Sequence, residues 1–169
     1  MKFLLTLVLV LSTCKGYSQK CKYDFEKKDP FSGKQQKGIT ITLAGFGPAA
    51  LKMAFQSEDK KSLIGLVVAL PGKNENYVER GDTLSIALEN GSILSLRSID
   101  RYLPNAQVVG ANIMSYFTPM YAVSEEELNK LSTVPMKAVK LKLGAQPLVA
   151  EVPAKNGEKA MKAASCIQQ

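Results

Sequence analysis

From Gly38 onward the chain alternates apolar and polar residues with a period of two. Ile39, Ile41 and Leu43 interleave with Thr40 and Thr42, and Leu51, Met53 and Phe55 with Lys52, Ala54 and Gln56. Each set predicts a half-buried strand. Gly45-Phe46-Gly47-Pro48 breaks the first set, and a charged turn at Ser57–Lys61 ends the second. Leu63–Leu70 is continuously apolar and partly β-branched, the pattern of a central strand buried on both faces, and Pro71-Gly72-Lys73-Asn74 stops it. Upstream, the polar stretch Lys20–Lys37 carries Asp29-Pro30-Phe31-Ser32-Gly33, a turn sequence.

Asp82–Arg97 predicts a hairpin. Leu84, Ile86 and Leu88 mark one inward face, and Leu94 and Leu96 mark the face opposite. Opposed even-numbered residues require pair sums that are even. A two-residue Asn90-Gly91 loop would set Leu84 against Arg97, whereas a three-residue Glu89-Asn90-Gly91 loop sets Ile86 against Leu94 and Leu84 against Leu96. Register therefore selects a type I turn followed by Gly91 in the left-handed region as a bulge.

Gln107–Thr118 is expected as one further strand. Ser124 and Glu127 then form a capping box, with Val123 and Leu128 placed as a hydrophobic staple, so a short helix starts here and Pro135 bounds it. Met136–Leu143 alternates, with Val139, Leu141 and Leu143 inward and Lys140 and Lys142 on a solvated face that discourages edge pairing. Leu148–Val152 is a last short strand. Asn156 is expected to cap a C-terminal helix whose stripe is Ala160, Ala163, Ala164 and Ile167. Many strands and two short helices give a β-rich fold, mainly an antiparallel sheet or sandwich and α+β at the margin.

The N-terminus has another pattern. Met1-Lys2 precedes an apolar run, Phe3–Leu11, broken only by Thr6, which is the length of a secretory signal core and short of the ~20 residues a membrane span requires. Small residues at Gly16 and Ser18 place cleavage after Ser18, so residues 1–18 are the signal and 19–169 a single domain. A lipoprotein signal with an acylated Cys14, or an N-terminal structural segment, are the alternatives. No later segment is long and apolar enough to span a membrane.

Export changes the charge and the cysteine count. The formal charge of +7 falls to +5 when Lys2 and Lys15 leave. The excess is scattered, without the basic patch that nucleic acid demands. Of three cysteines, Cys14 leaves or becomes an anchor, and Cys21 and Cys166 remain at opposite ends. Outside the cytoplasm such a pair favours a disulfide, and two free thiols are the alternative.

The chain has no histidine and no tryptophan. Histidine-dependent triads, HExxH zinc sites and imidazole acid–base chemistry are thereby excluded. Asp82, Glu89, Asp100 and Glu79 could serve a carboxylate enzyme, but no spacing pairs any two of them. Glu125-Glu126-Glu127 suits a helix N-terminus. Arg80-Gly81-Asp82 spells an adhesion tripeptide that a turn also explains. Gly45-x-Gly47 lacks the third glycine of a dinucleotide loop, and Asn90-Gly91-Ser92 matches a glycosylation pattern within a tight turn. No metal or cofactor is expected.

Cys21-x-Tyr23, Asp29-Pro30-Phe31-Ser32-Gly33-Lys34, Gly81-Asp82 leading into Leu88-x-Asn90-Gly91, Tyr121-x-x-Ser124-x-Glu126-x-Leu128-x-x-Leu131, and a cysteine near the C-terminus occur in this order. This string resembles a loose group of small exported proteins of uncharacterised function from Gram-negative bacteria. The resemblance implies export and a β-rich fold, and brings no activity. The expectation is an exported non-catalytic domain that recognises a protein or envelope component. A carboxylate- or hydroxyl-based envelope hydrolase and a lipid-anchored envelope protein are the alternatives.

Overall fold

The computed structural model describes residues 21–59, 61–144 and 146–169. The expected signal peptide, with cleavage after Ser18 or acylation of Cys14, lies outside the described residues. Among the described residues eleven strands form two antiparallel sheets around one core. The larger has the order β1 (Phe25–Lys28), β2 (Gln35–Ala44), β3 (Leu51–Glu58), β4 (Lys61–Pro71), β8 (Asn112–Phe117), β7 (Asn105–Val109). β4 is long enough to hold two partners in tandem on one side: β9 (Met120–Val123) along Ser62–Gly65, and β8 along Val68–Pro71. The smaller sheet runs β11 (Gln146–Glu151), β10 (Met136–Leu143), β5 (Thr83–Leu88), β6 (Ile93–Arg97).

The alternation read from the sequence sets which faces meet. Met53, Phe55, Ile64 and Leu66 from the larger sheet, and Leu84, Ile86, Leu96 and Leu141 from the smaller, are fully or almost fully buried in one cluster. On one side the sheets are stitched where β6 runs on to β9, through a Ser98–Tyr121 bridge and the Ile99 amide donating to Met120 O at 3.0 Å. The opposite opening is closed by helix α2 (Ala154–Gln168), which lies against β2, β3, β10 and helix α1 (Glu125–Thr133).

The β5–β6 hairpin has the expected register, Leu84 opposite Leu96 and Ile86 opposite Leu94. Gly91 sits at φ +85°, its amide donates to Leu88 O, and Asn90 Oδ1 accepts from Ser92 N at 3.0 Å and Ser92 Oγ at 2.7 Å. Asn90-Gly91-Ser92 is thus committed to the turn. The α1 capping box is also complete. Ser124 Oγ accepts from Glu127 N, Ser124 N donates to Glu127 Oε2 at 2.9 Å, and Val123 and Leu128 are both buried.

Four expectations need correction. Gln107–Thr118 is not one strand: Gly110, at φ +62°, turns the chain into the β7–β8 hairpin. Asn156 is not a cap. Helix α2 starts after Pro153, and the Asn156 amide instead donates across to Leu43 O on β2 at 3.1 Å, a tertiary bond that competes with the cap. Lys140 and Lys142 lie on β10, an interior strand, so they guard no edge. Finally, the polar stretch before Gly38 holds a strand of its own, β1, exposed along its whole length and paired with β2 around the Asp29–Gly33 turn.

Candidate interaction surface

Cys21 and Cys166 form a disulfide, Cα to Cα 5.7 Å, spanning 145 positions. Tyr23 Oη donates to Cys166 O at 2.9 Å beside it. Both ends of the domain are therefore fastened to α2, the helix that closes the core.

Glu79, Asp82 and Asp100, three of the four candidate carboxylates, are gathered at one end of the β5–β6 hairpin. Glu89 lies in the turn at the other end. Asp82 keeps only 10% of its side chain exposed. Its carboxylate accepts from the Glu79 amide at 2.9 Å and from Lys142 Nζ at 2.7 Å. Burial alone would raise its pKa, but the Lys142 hydrogen bond, the Glu79 amide and the Lys142 charge outweigh it and hold it below the ordinary carboxylate range. Glu79 pairs with Arg101 at 3.4 Å, and Arg101 stacks over the Tyr77 ring. Beneath them Tyr121 Oη is buried with no hydrogen-bond partner among the described residues. Burial, then the charge of Asp82, push its pKa well above the ordinary phenol value. Asp82 is engaged by Lys142 and the Glu79 amide, Glu79 by Arg101, and Asp100 by the Arg101 amide. The Asp82 of Arg80-Gly81-Asp82 faces Lys142 and the Glu79 amide, so the tripeptide is not presented outward.

The sequence reading missed the Asp82–Lys142 pair because strand order is what brings it together. Lys142 follows Leu141, which opposes Leu84 two residues after Asp82. Among the described residues no cluster of His, Cys, Asp or Glu could hold a metal.

The surface that stands apart is apolar. Between Arg101 and Glu125 the chain has no charged side chain, although 22% of its residues are charged. This stretch contains β7, β8 and β9. In β8, Phe117 and Ser115 continue the core face of β4, opposite Val68 and Leu70. The same face runs on through Ile113 and its partner Val108, beyond the cover of the smaller sheet, where they are 49% and 77% exposed. Leu103, just before β7, is exposed as well. An apolar groove of about 240 Å³ adjoins the strip where Leu70 meets Val68, Leu51, Leu148 and Ala150.

Among the described residues β7 is also an unpaired edge, exposed along most of its length. Its hairpin closes on the two-residue loop Gly110-Ala111, with the positive φ at the first position, the type II′ pattern. In that register Val109, Gln107 and Asn105 bond to β8, which leaves the N–H and C=O of Ala106 and Val108 directed away from the sheet. Consistent with this alternation, Ile113 O, opposite Val108, accepts from Gly72 N on the far side of β8.

The other edges are protected. β1 carries Glu26, Lys27 and Lys28, β11 carries Pro147 and Glu151, and β6 runs on into the bridge with β9. β7 has none of these devices. The charge-free run was visible in the sequence. That it would form an edge was not.

No protein-family model, curated protein or solved structure matches this chain. No helix among the described residues is long and apolar enough to cross a membrane.

Proposed function

We propose that this chain is an exported, non-catalytic recognition domain that binds a protein partner by strand addition at the β7 edge. The observation that carries the reading is the contrast among the edges: three are charged, proline-bearing or joined, and β7 is bare. A row of unpaired backbone donors and acceptors is matched by another polypeptide strand, which gives main-chain hydrogen bonds while side-chain pockets give selectivity. The exposed apolar pair Val108 and Ile113 supplies burial beside it. Of a protein and a non-protein envelope component, only the first offers a strand. A disulfide fastening both ends supports export, because such bonds persist in oxidising compartments.

The test is site-specific photocrosslinking in intact cells from a photoreactive side chain at position 108, with position 52 on the exposed face of β3 as control. A discrete adduct from 108 and none from 52 is the expected result. No adduct from 108, or the same adducts from both positions, would overturn the reading.

A further inference from the structure

Resting on that reading, we infer that the strand added to β7 is the β7 of a second copy, antiparallel about a two-fold axis through Gln107. The backbone register selects this arrangement. Only Ala106 and Val108 present outward N–H and C=O groups, so a self-pairing strand must set them against each other. Centring on Gln107 pairs Ala106 with the second copy's Val108 and Val108 with its Ala106, which satisfies four backbone hydrogen bonds. Centring on Ala106 would bring Val108 opposite Pro104, which has no N–H to donate. Centring on Val108 would bring Ala106 opposite Gly110, which already serves the turn at φ +62°.

Side chains agree with the same axis. Gln107 would lie opposite its own copy, and a carboxamide carries both donor and acceptor, so two can bond to each other. On the other face Ala106 would pack against the second copy's Val108 and Val108 against its Ala106, with Ile113 flanking each Val108, in one uncharged isologous patch.

Charge permits a second copy at this edge, and the self-complementary register is what selects it. The chain is positive overall, so most face-to-face contacts between copies would oppose like charges. The run from Tyr102 to Ser124 is where two copies meet without that repulsion. A single strand pair with a small apolar patch lies at the lower end of specific interfaces, so the dimer should dissociate on the order of 10 µM.

Sedimentation velocity of the purified exported protein from about 1 to 500 µM tests this against Val108→Lys, an exposed position where lysine is accommodated in the fold. Wild type should pass from one to two copies as concentration rises, and Val108→Lys should weaken association at least about tenfold with an unchanged thermal melt. Ala106→Pro, which removes an outward N–H and no ladder bond, should weaken it similarly. A wild type that stays monomeric to about 500 µM, or a dimer that both variants leave intact, would overturn the inference. If a monomeric wild type still gives a photocrosslink from position 108 to a protein of different mass, self-pairing fails and strand addition stands. If neither association nor crosslink occurs, both fail.

Discussion

At Gly157 helix α2 packs directly against the backbone of the smaller sheet, and replacing it with alanine tests how the core is closed. A Cβ built there would overlap Met136 O and lie 3.2 Å from both Met136 C and Met136 N, all backbone atoms of β10 that cannot swing aside. In an exposed helix interior the same change would stabilise by about 1 kcal/mol. Here relief requires α2 to move, and it is held at three places. Asn156 Nδ2 donates to Leu43 O at 3.1 Å, Cys166 is bonded to Cys21, and Tyr23 Oη donates to Cys166 O. Overpacking of a well-packed contact costs roughly 1–3 kcal/mol, and these anchors push the cost to the upper part of that range. The net expectation is a loss of about 1–2 kcal/mol, or a fall in Tm of about 2–8 °C for a domain of this size. Urea unfolding with the disulfide intact measures it. A second measurement separates helix displacement from local strain. If α2 shifts, Asn156→Ala should cost less in the Gly157→Ala background than alone, because the Leu43 bond is already weakened. A Gly157→Ala protein as stable as wild type, or more stable, would refute the close approach.

Three other outcomes follow from the same structure. Replacing Cys21 and Cys166 by serine should cost up to about 5 kcal/mol in the chain-entropy limit for a loop of this length, with about 2–4 kcal/mol the usual measured range. Non-reducing peptide mapping of the wild type should find the two linked, and if the proposed export holds, Gln19 should be the N-terminus of the mature protein. Asp82→Asn should lose about 1 kcal/mol at neutral pH, the difference between a charged and a neutral acceptor. Since the folded pKa of Asp82 is depressed, its contribution is present above the unfolded value of about 3.9 and is lost as pH falls through the lower folded value. The stability difference between wild type and Asp82→Asn should therefore shrink on acidification, and a constant difference would contradict it. Gly91→Val should cost about 1–3 kcal/mol, because a β-branched residue meets strain at φ +85°. Unchanged denaturant midpoints would remove the left-handed turn.

What the sequence made legible was whatever two local rules determine together. Parity of the inward residues and the glycine at the third loop position fixed the β5–β6 register. The Ser124–Glu127 box with its Val123–Leu128 staple fixed the start of α1. Where a single weak signal stood alone, the structure departed. Gly110 lies within an otherwise strand-like run, and only its pairing geometry distinguishes a turn from a continuous strand. β1 has no inward face to give it a period, since all four residues are exposed and its existence depends on β2. β9 is a four-residue strand directly after Pro119, recognisable only because β4 is long enough to seat a second partner. Asn156 has good capping chemistry, but a carbonyl on β2 offers a tertiary partner. The Asp82–Lys142 pair and the bare β7 edge share one cause of invisibility, which is strand order. Residues 82 and 142 become neighbours only when β10 joins β5, and β7 becomes an edge only because β8 takes the place beside β4.

Amide hydrogen exchange resolved at Ala106 and Val108 tests strand addition at β7 most directly. In the dilute monomer both amides should exchange as solvent-facing groups, and as concentration rises through the association range both should become protected together while Glu26 and Lys28, the outward-facing amides of the β1 edge, do not. Exchange at Ala106 and Val108 that is independent of concentration, or protection that appears equally on β1, would contradict pairing through this edge.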